Sequence, residues 1–115
     1  MLRLRSARDF ERVWREGRSH AHPLVVLVSC RRPPADEAAV LLTRCGFVAS
    51  QKVGGAVKRN RAKRLLREAV RARQSSLAPG WDLVFAARKP LADASLSQAQ
   101  TAVDLLLKRA NVVNL

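Results

Sequence analysis

The sequence predicts an α+β fold, an α/β sandwich with a small sheet, and three observations carry that reading. Apolar residues recur at three- and four-residue spacing over 7–16, 56–75 and 96–110, the period of helices with one buried face. Between them lie strand-like runs, leucine- and β-branched-rich at 24–30, longer at 40–49 and again at 81–87. The resulting order is helix, strands, helix, strand, helix, without internal repeats or low-complexity linkers, and 115 residues suit a single domain spanning 1–115 with one modest core.

Taken in order, Ser6 is a natural N-cap for a helix over 7–16, with Asp9 three residues on and Gly17 as the stop. Phe10, Val13 and Trp14 share its short apolar face, and Arg8, Arg12 and Arg15 point elsewhere. After a bridge at 18–22, Leu24–Cys30 reads as a buried strand, and the polar, proline-broken stretch 31–37 as a turn. In the next strand, 40–49, Gly46 marks a bulge or a close backbone approach. A long helix over 56–75 ends at Leu77-Ala-Pro-Gly80, Trp81–Ala87 forms a further strand, and Arg88-Lys89-Pro90 turns the chain. The last helix, 96–110, has Ser95 and Gln98 as a capping box, and Asp104 and Lys108 at i,i+4 spacing.

Charge narrows the function classes. Lys and Arg number 22 against 9 Asp and Glu, a formal net charge of +13. Such a chain repels itself unless a polyanion neutralises it, and nucleic acid is the commonest such partner. An anionic membrane surface is the rival, but it calls for a tail or an amphipathic helix with bulky apolar residues opposite the charges. Arginine dominates the basic residues, and its forked guanidinium suits phosphates and bases better than a diffuse lipid surface. The longest apolar run, 24–30, is too short to span a bilayer. The first twenty residues lack the apolar core of a signal peptide, so the expected location is cytoplasmic, with no membrane partner.

The basic charge has a face. On a wheel centred on Ala62, residues Ala62, Leu65, Leu66, Ala69 and Val70 fall within about −60° to +80°. Lys63, Arg67, Asn60, Arg71 and Arg64 occupy about 100° to 200°, with Arg59 and Arg61 flanking them. Residues 52–73 hold nine basic groups and one acid, Glu68, for +8 of the total +13. A solvated face ordinarily mixes signs to relieve i,i+4 repulsion, whereas here the repulsion is left in place. This is the pattern of a phosphate-reading ridge, with the Asn60 amide available for a directed hydrogen bond. Upstream, Lys52-Val-Gly-Gly55 leads into the helix start, where glycines let backbone N–H groups approach an anion. The same glycines equally serve the turn from strand to helix, and no Gly-Lys-Ser/Thr follows to make a Walker loop.

Phe10 and Trp14, one helical turn apart and framed by arginines, read either as core or as a platform on which single-stranded bases stack. No nucleophile, base and orienting group come together in the pattern, so the chain reads as a binder with no catalytic residues of its own. His20 and His22 lack acidic or cysteine neighbours in sequence, and the acids show no pairing suited to a metal-dependent nuclease. No metal site is therefore expected on the chain. Cys30 and Cys45 sit in apolar runs as small buried hydrophobes. If 24–30 and 40–48 formed a hairpin, Cys45 would lie opposite the early part of the first strand, far from Cys30, and no bridge is expected.

The segment GFVASQKVGGAVKRNRAKRLLREAVR, 46–71, resembles the signature of the bacterial ribonuclease P protein subunit. Its hallmark here is Arg59-Asn60-Arg61, preceded by Lys52, Gly54, Ala56 and Val57 and followed by Lys63 and Arg64. The stretch SARDFERVWREG, 6–17, is similar to the family's first helix, and WDLVFAARKP, 81–90, to its last strand and exit turn. Gln51 stands where a second lysine is common, Gly55 where a polar capping residue is usual, and Val28 where a strand aromatic is often found.

The resemblance implies a four-stranded mixed sheet with three helices, order α-β-β-β-α-β-α, a short strand near 18–21, and a left-handed β-α-β crossover. It implies a protein subunit of a ribozyme whose RNA, with Mg²⁺, removes the 5′ leader of precursor tRNA. Lys52, Gly54, Lys58, Arg59, Asn60, Arg61, Lys63, Arg64, Arg67 and Arg71 would then bind the ribonuclease P RNA. Phe10, Trp14, Arg15, Val28 and Arg44 would line the cleft for the 5′ leader. A non-enzymatic RNA-binding protein of ribosomal type is the alternative that fits charge and fold. A DNA-binding module would need base-reading residues on its helix, and 56–71 shows almost wholly phosphate chemistry, so DNA is not expected.

Overall fold

The computed structural model describes residues 2–33 and 42–113. Among them are three α-helices and five strands: β1 (Leu2–Arg3), α1 (Ala7–Glu16), β2 (Arg18–Ala21), β3 (Val25–Arg31), β4 (Arg44–Val48), α2 (Ala56–Arg71), β5 (Trp81–Ala87) and α3 (Leu96–Ala110). The predicted fold class holds, with one more strand than the four expected. The addition is β1, whose two residues pair with β4; the short strand implied at 18–21 is β2. So short an edge strand carries no periodicity to read. Part of the expected turn at 31–37 and the start of the strand expected at 40–49 lie outside the described residues. What is described of that strand is Arg44–Val48.

The sheet runs in the order β1-β4-β5-β3-β2. β1, β4 and β5 are mutually parallel, whereas β3 pairs antiparallel with both β5 and β2. The hairpin considered between 24–30 and 40–48 therefore does not form, because β5 lies between β3 and β4. The chain leaves β4, crosses through α2 and returns as β5, and a parallel pair requires such a crossover.

Alternation along the strands divides the molecule into two cores. On one face Leu27, Cys45, Leu83 and Phe85 meet Leu66, Ala69 and Val70 of α2 and Ala99, Val103 and Leu106 of α3. Phe47 stacks on Phe85 there with ring centroids 5.8 Å apart. On the other face Val28, Cys30 and Val84 pack with Leu4 and Val13 under α1. The apolar stripe expected on α2 is buried, completely at Ala62, Leu66, Ala69 and Val70 and partly at Leu65. α2 ends at Arg71, earlier than the expected Ser75, and Gln74–Ser76 form a separate 3-10 turn.

Local signals behave unequally. The Ser95–Gln98 capping box is complete, with Gln98 N–H donating to Ser95 Oγ at 3.1 Å and Ser95 N–H to Gln98 Oε1 at 2.9 Å. Ser6 occupies the N-cap of α1, but its side chain makes no capping bond. Asp104 pairs not with Lys108 but with Arg73, whose guanidinium donates two bonds of 2.7 and 2.8 Å. A forked pair between α3 and the end of α2 thus replaces a single-pronged pair within one helix. Gly46 is a close approach and not a bulge, since a Cβ there would lie 2.6 Å from Phe10 Cζ.

Candidate nucleic-acid interface

The amphipathic division of α2 puts its basic residues outward. Asn60, Arg64 and Arg71 are exposed, and Arg59, Lys63 and Arg67 half-buried. Among the described residues none of Lys58, Arg59, Lys63, Arg64, Arg67 and Arg71 forms an ion pair. Glu68, the sole acid of the segment, pairs with none of them either. The ion pairs among the described residues lie elsewhere, so the molecule spends Asp9, Asp82 and Asp104 on its architecture and leaves this ridge uncompensated.

Arg61 departs from the expected ridge. Its Nε donates to Ala92 O at 2.7 Å and its Nη2 to Ala94 O at 3.3 Å. The second arginine of the hallmark thus fastens α2 to the turn that precedes α3. Asn60 is exposed beside it, and its amide remains available.

The approach to α2 is built from Ser50, whose hydroxyl accepts from Lys52 N–H at 3.3 Å, and a short 3-10 turn at Gln51–Val53. Gly54 has φ 141°, a conformation that requires glycine, and the Lys58 stem lies against it. Gly55 is the N-cap at φ −71° and has no conformational need of glycine. An added Cβ at Gly55 would meet nothing within 4 Å. With no side chain capping this end, the first-turn N–H groups of α2 stay open beside Lys52 and Lys58.

On the opposite face, α1 covers only part of the sheet. Trp14 is 49% exposed. It lines a cleft of about 300 Å³ with Val48, Ala49, Ser50, Ala86 and Ala87. The register sets Val26, Ala86 and Val48 side by side on β3, β5 and β4, which extends this apolar floor across the sheet. The two aromatics therefore separate: Phe10 packs against Gly46 and the core cluster that contains Leu4, and Trp14 lines the cleft. Val28 is on the expected face but 2% exposed, because the end of α1 and Gly17 cover it. Val26, two residues earlier, is the strand's half-buried member on that side. Strand parity could have found Val48 and Ala86, but not which row the helix covers.

Arg44, also expected in the cleft, is half-buried and tied to carboxylates of the protein. Its Nε donates to Asp82 Oδ1 at 2.8 Å and its Nη2 to Asp82 Oδ2 at 2.7 Å, and Asp9 accepts from its Nη1 at 3.2 Å. Arg12, expected to point outward, also donates to the fully buried Asp82, and Arg32 Nε lies 3.9 Å from it. A buried carboxylate between guanidiniums from α1, β4 and the end of β3 ties the helix to the sheet beside the cleft. Arg15 is the opposite case, with its side chain 69% exposed and only a 3.9 Å contact to Glu16.

Both cysteines are free and lie on opposite faces of the sheet. Burial pushes the Cys45 thiol up to about 12. Burial also raises Cys30, against the opposing pull of Arg12, which donates to its Sγ at 3.3 Å. The carboxylate of Asp104 raises Arg73 above its ordinary value, chiefly by hydrogen bonding. Among the described residues no three His, Cys, Asp or Glu side chains form a group that could hold a metal ion. Likewise, no described helix is long and apolar enough to cross a membrane.

Comparison with known proteins places this geometry. A family model described as Ribonuclease P matches residues 1–111. The ribonuclease P protein component of Roseiflexus castenholzii is 42% identical over 112 residues, covering 96% of this chain and 87% of that one. The corresponding protein of Herpetosiphon aurantiacus is 44% identical over 110 residues, covering 96% and 85%. Among solved structures, the Staphylococcus aureus RNase P protein superposes with a TM-score of 0.83 at 32% identity, covering 99% of both chains. The Thermotoga maritima RNase P protein gives 0.78 at 30% identity, covering 95% and 97%.

Proposed function

Because the chain belongs to the ribonuclease P protein family and is a protein subunit of that tRNA-processing endoribonuclease, we propose that it acts as a two-faced RNA clamp. The α2 ridge, with the 52–55 approach, docks on the ribonuclease P RNA through Lys52, Gly54, Lys58, Arg59, Asn60, Lys63, Arg64, Arg67 and Arg71. The α1 cleft holds the 5′ leader of precursor tRNA, with Trp14 as the stacking side chain and the Val26–Ala86–Val48 row as its floor. The observation that carries the first part is the uncompensated basic face of α2. An exposed tryptophan over an apolar sheet floor carries the second.

In this reading the protein contributes binding, and the RNA subunit carries the chemistry with Mg²⁺. In this reading Mg²⁺ is bound mainly by the RNA subunit. Leader capture raises substrate affinity without touching the cleavage step, because its contacts are the same in ground and transition states. The expected location is the cytoplasm, where the precursor is made.

A pair of variants separates the two faces. Arg64→Ala should weaken RNA-subunit binding and flatten its dependence on salt by about one unit of log–log slope. Trp14→Ala should leave that binding alone and raise apparent KM for leader-bearing precursor. Should Trp14→Ala cost equally much on a precursor with a one-nucleotide leader, tryptophan stacking on the leader is wrong.

A further inference from the structure

The ridge does not end on α2. Arg67 and Arg71 line a cavity of about 420 Å³ together with Arg3 of β1 and Gln74 of the following turn. We propose that this cavity is a phosphate-binding pocket that seats one backbone phosphate of the RNA to which the α2 ridge docks, making the N-terminal strand part of that interface. The inference rests on the ridge reading and adds to it a specific site, with Arg3 and Gln74 as its new members.

Sheet geometry explains how a residue so distant in sequence arrives there. Arg3 pairs with Cys45 across the parallel β1–β4 ladder and so shares its face, the one covered by α2. Leu4, the next residue, turns to the opposite face, where it is 4% exposed under α1. Its N–H donates to Cys45 O at 2.9 Å, which fixes the parity. On α2, Arg67 and Arg71 are one turn apart on the same side, and Gln74 follows after the helix ends at Arg71.

The chemistry of the lining specifies the ligand. Three guanidiniums and a carboxamide supply forked N–H donors, the set that matches phosphate oxygens. Among the described residues no carboxylate lines the cavity, and none of its arginines forms an ion pair. Glu68, one residue from Arg67, pairs with neither. The C-terminal end of α2 presents about half a negative charge, which favours Arg71 and opposes an anion. Three formal positive charges outweigh it. A phosphate bridging Arg3 to α2 would also fasten the sheet edge, beside the anchorage that buried Leu4 already gives the short strand.

The test uses the full chain and ribonuclease P RNA, with affinity measured across about 50 to 200 mM salt. Arg3→Gln should reduce the log–log slope by about 0.7 to 0.9, so that its affinity relative to the unaltered protein changes about threefold across that range. Combining Arg3→Gln with Arg67→Gln should cost less than the product of the single losses, since one phosphate is lost once. Arg3 is exposed and pairs through its backbone, and the melting temperature of Arg3→Gln checks that the fold is intact. An unchanged slope for Arg3→Gln, with Arg64→Gln still flattened, would overturn the pocket while leaving the ridge in place. Absence of RNA binding by the unaltered protein would sink both. Inorganic phosphate titrated into the RNA-free protein, followed at the amides of Arg3, Arg71 and Gln74, separates the sources. Saturable shifts with an unchanged RNA slope would assign the pocket to free phosphate and refute the RNA assignment.

Discussion

Replacing Asp82 by asparagine tests whether the buried carboxylate is what seats α1 beside the cleft. Asparagine keeps the size and one acceptor oxygen but removes the charge shared by Arg44, Arg12 and Arg32. Removing one partner of a buried ion pair typically costs about 3 to 5 kcal/mol, because the remaining charge is left uncompensated. Here the side chains of Arg12 and Arg44 are 14% and 21% exposed, so each guanidinium can turn partly to water. Arg44 also retains Asp9 at 3.2 Å. Both facts place the cost at the lower end, about 3 kcal/mol. That is a large share of a domain's total of roughly 5 to 15 kcal/mol and corresponds to a fall in Tm on the order of 10 °C. Urea unfolding with an unchanged m-value measures it. A functional signature should accompany the loss: weaker dependence of cleavage on leader length, because Trp14 rides on α1, with an unaltered salt slope for RNA-subunit binding. A variant within about 0.5 kcal/mol of the unaltered protein would refute the claim that this charge cluster secures the helix.

Gly46→Ala should destabilise by about 1 to 3 kcal/mol, as the added methyl is forced against the Phe10 ring. Phe10→Leu in the same background should recover part of that, with both read from chemical denaturation. The alkaline limb of stability should carry the signature of Cys45, whose folded thiol is pushed up to about 12 from an ordinary 9.0. Above pH 9 the unfolded chain gives up this proton and the folded chain keeps it, so stability present below that pH is lost as it rises towards 12. Between those two values the loss approaches about 1.4 kcal/mol per pH unit, and Cys45→Ala should remove that share of the slope.

Much of this molecule was legible in its sequence because strong periodicity reports burial directly. The α2 stripe, the Ser95 capping box and the bounds of α1 and α3 are all consequences of local pattern. What escaped depends on partners distant in the chain. The sequence pattern sets Arg12 off the apolar face of its helix and the resemblance implies Arg44 in the cleft, but Asp82, from β5, claims both. Arg61 looked like ridge and instead reaches the carbonyls of Ala92 and Ala94. The resemblance implies Val28 for the cleft, yet only the position of the helix end decides that Val28 is covered and Val26 less so. The parallel β4–β5 pairing, with β5 inserted beside β3, is likewise a matter of topology that no short-range signal encodes.

The central claim, that this chain serves ribonuclease P by docking on its RNA and holding precursor tRNA, is tested most directly by reconstitution. Purified protein is added to a bacterial ribonuclease P RNA at low Mg²⁺, where the RNA alone is slow, and cleavage of precursor tRNA to the mature 5′ end is followed. The account predicts stimulation that grows with leader length, is lost on raising salt, and is reduced by Arg64→Ala. Unstimulated cleavage, with the protein nevertheless bound to the RNA, would contradict it and favour a general RNA-binding role of ribosomal-protein type.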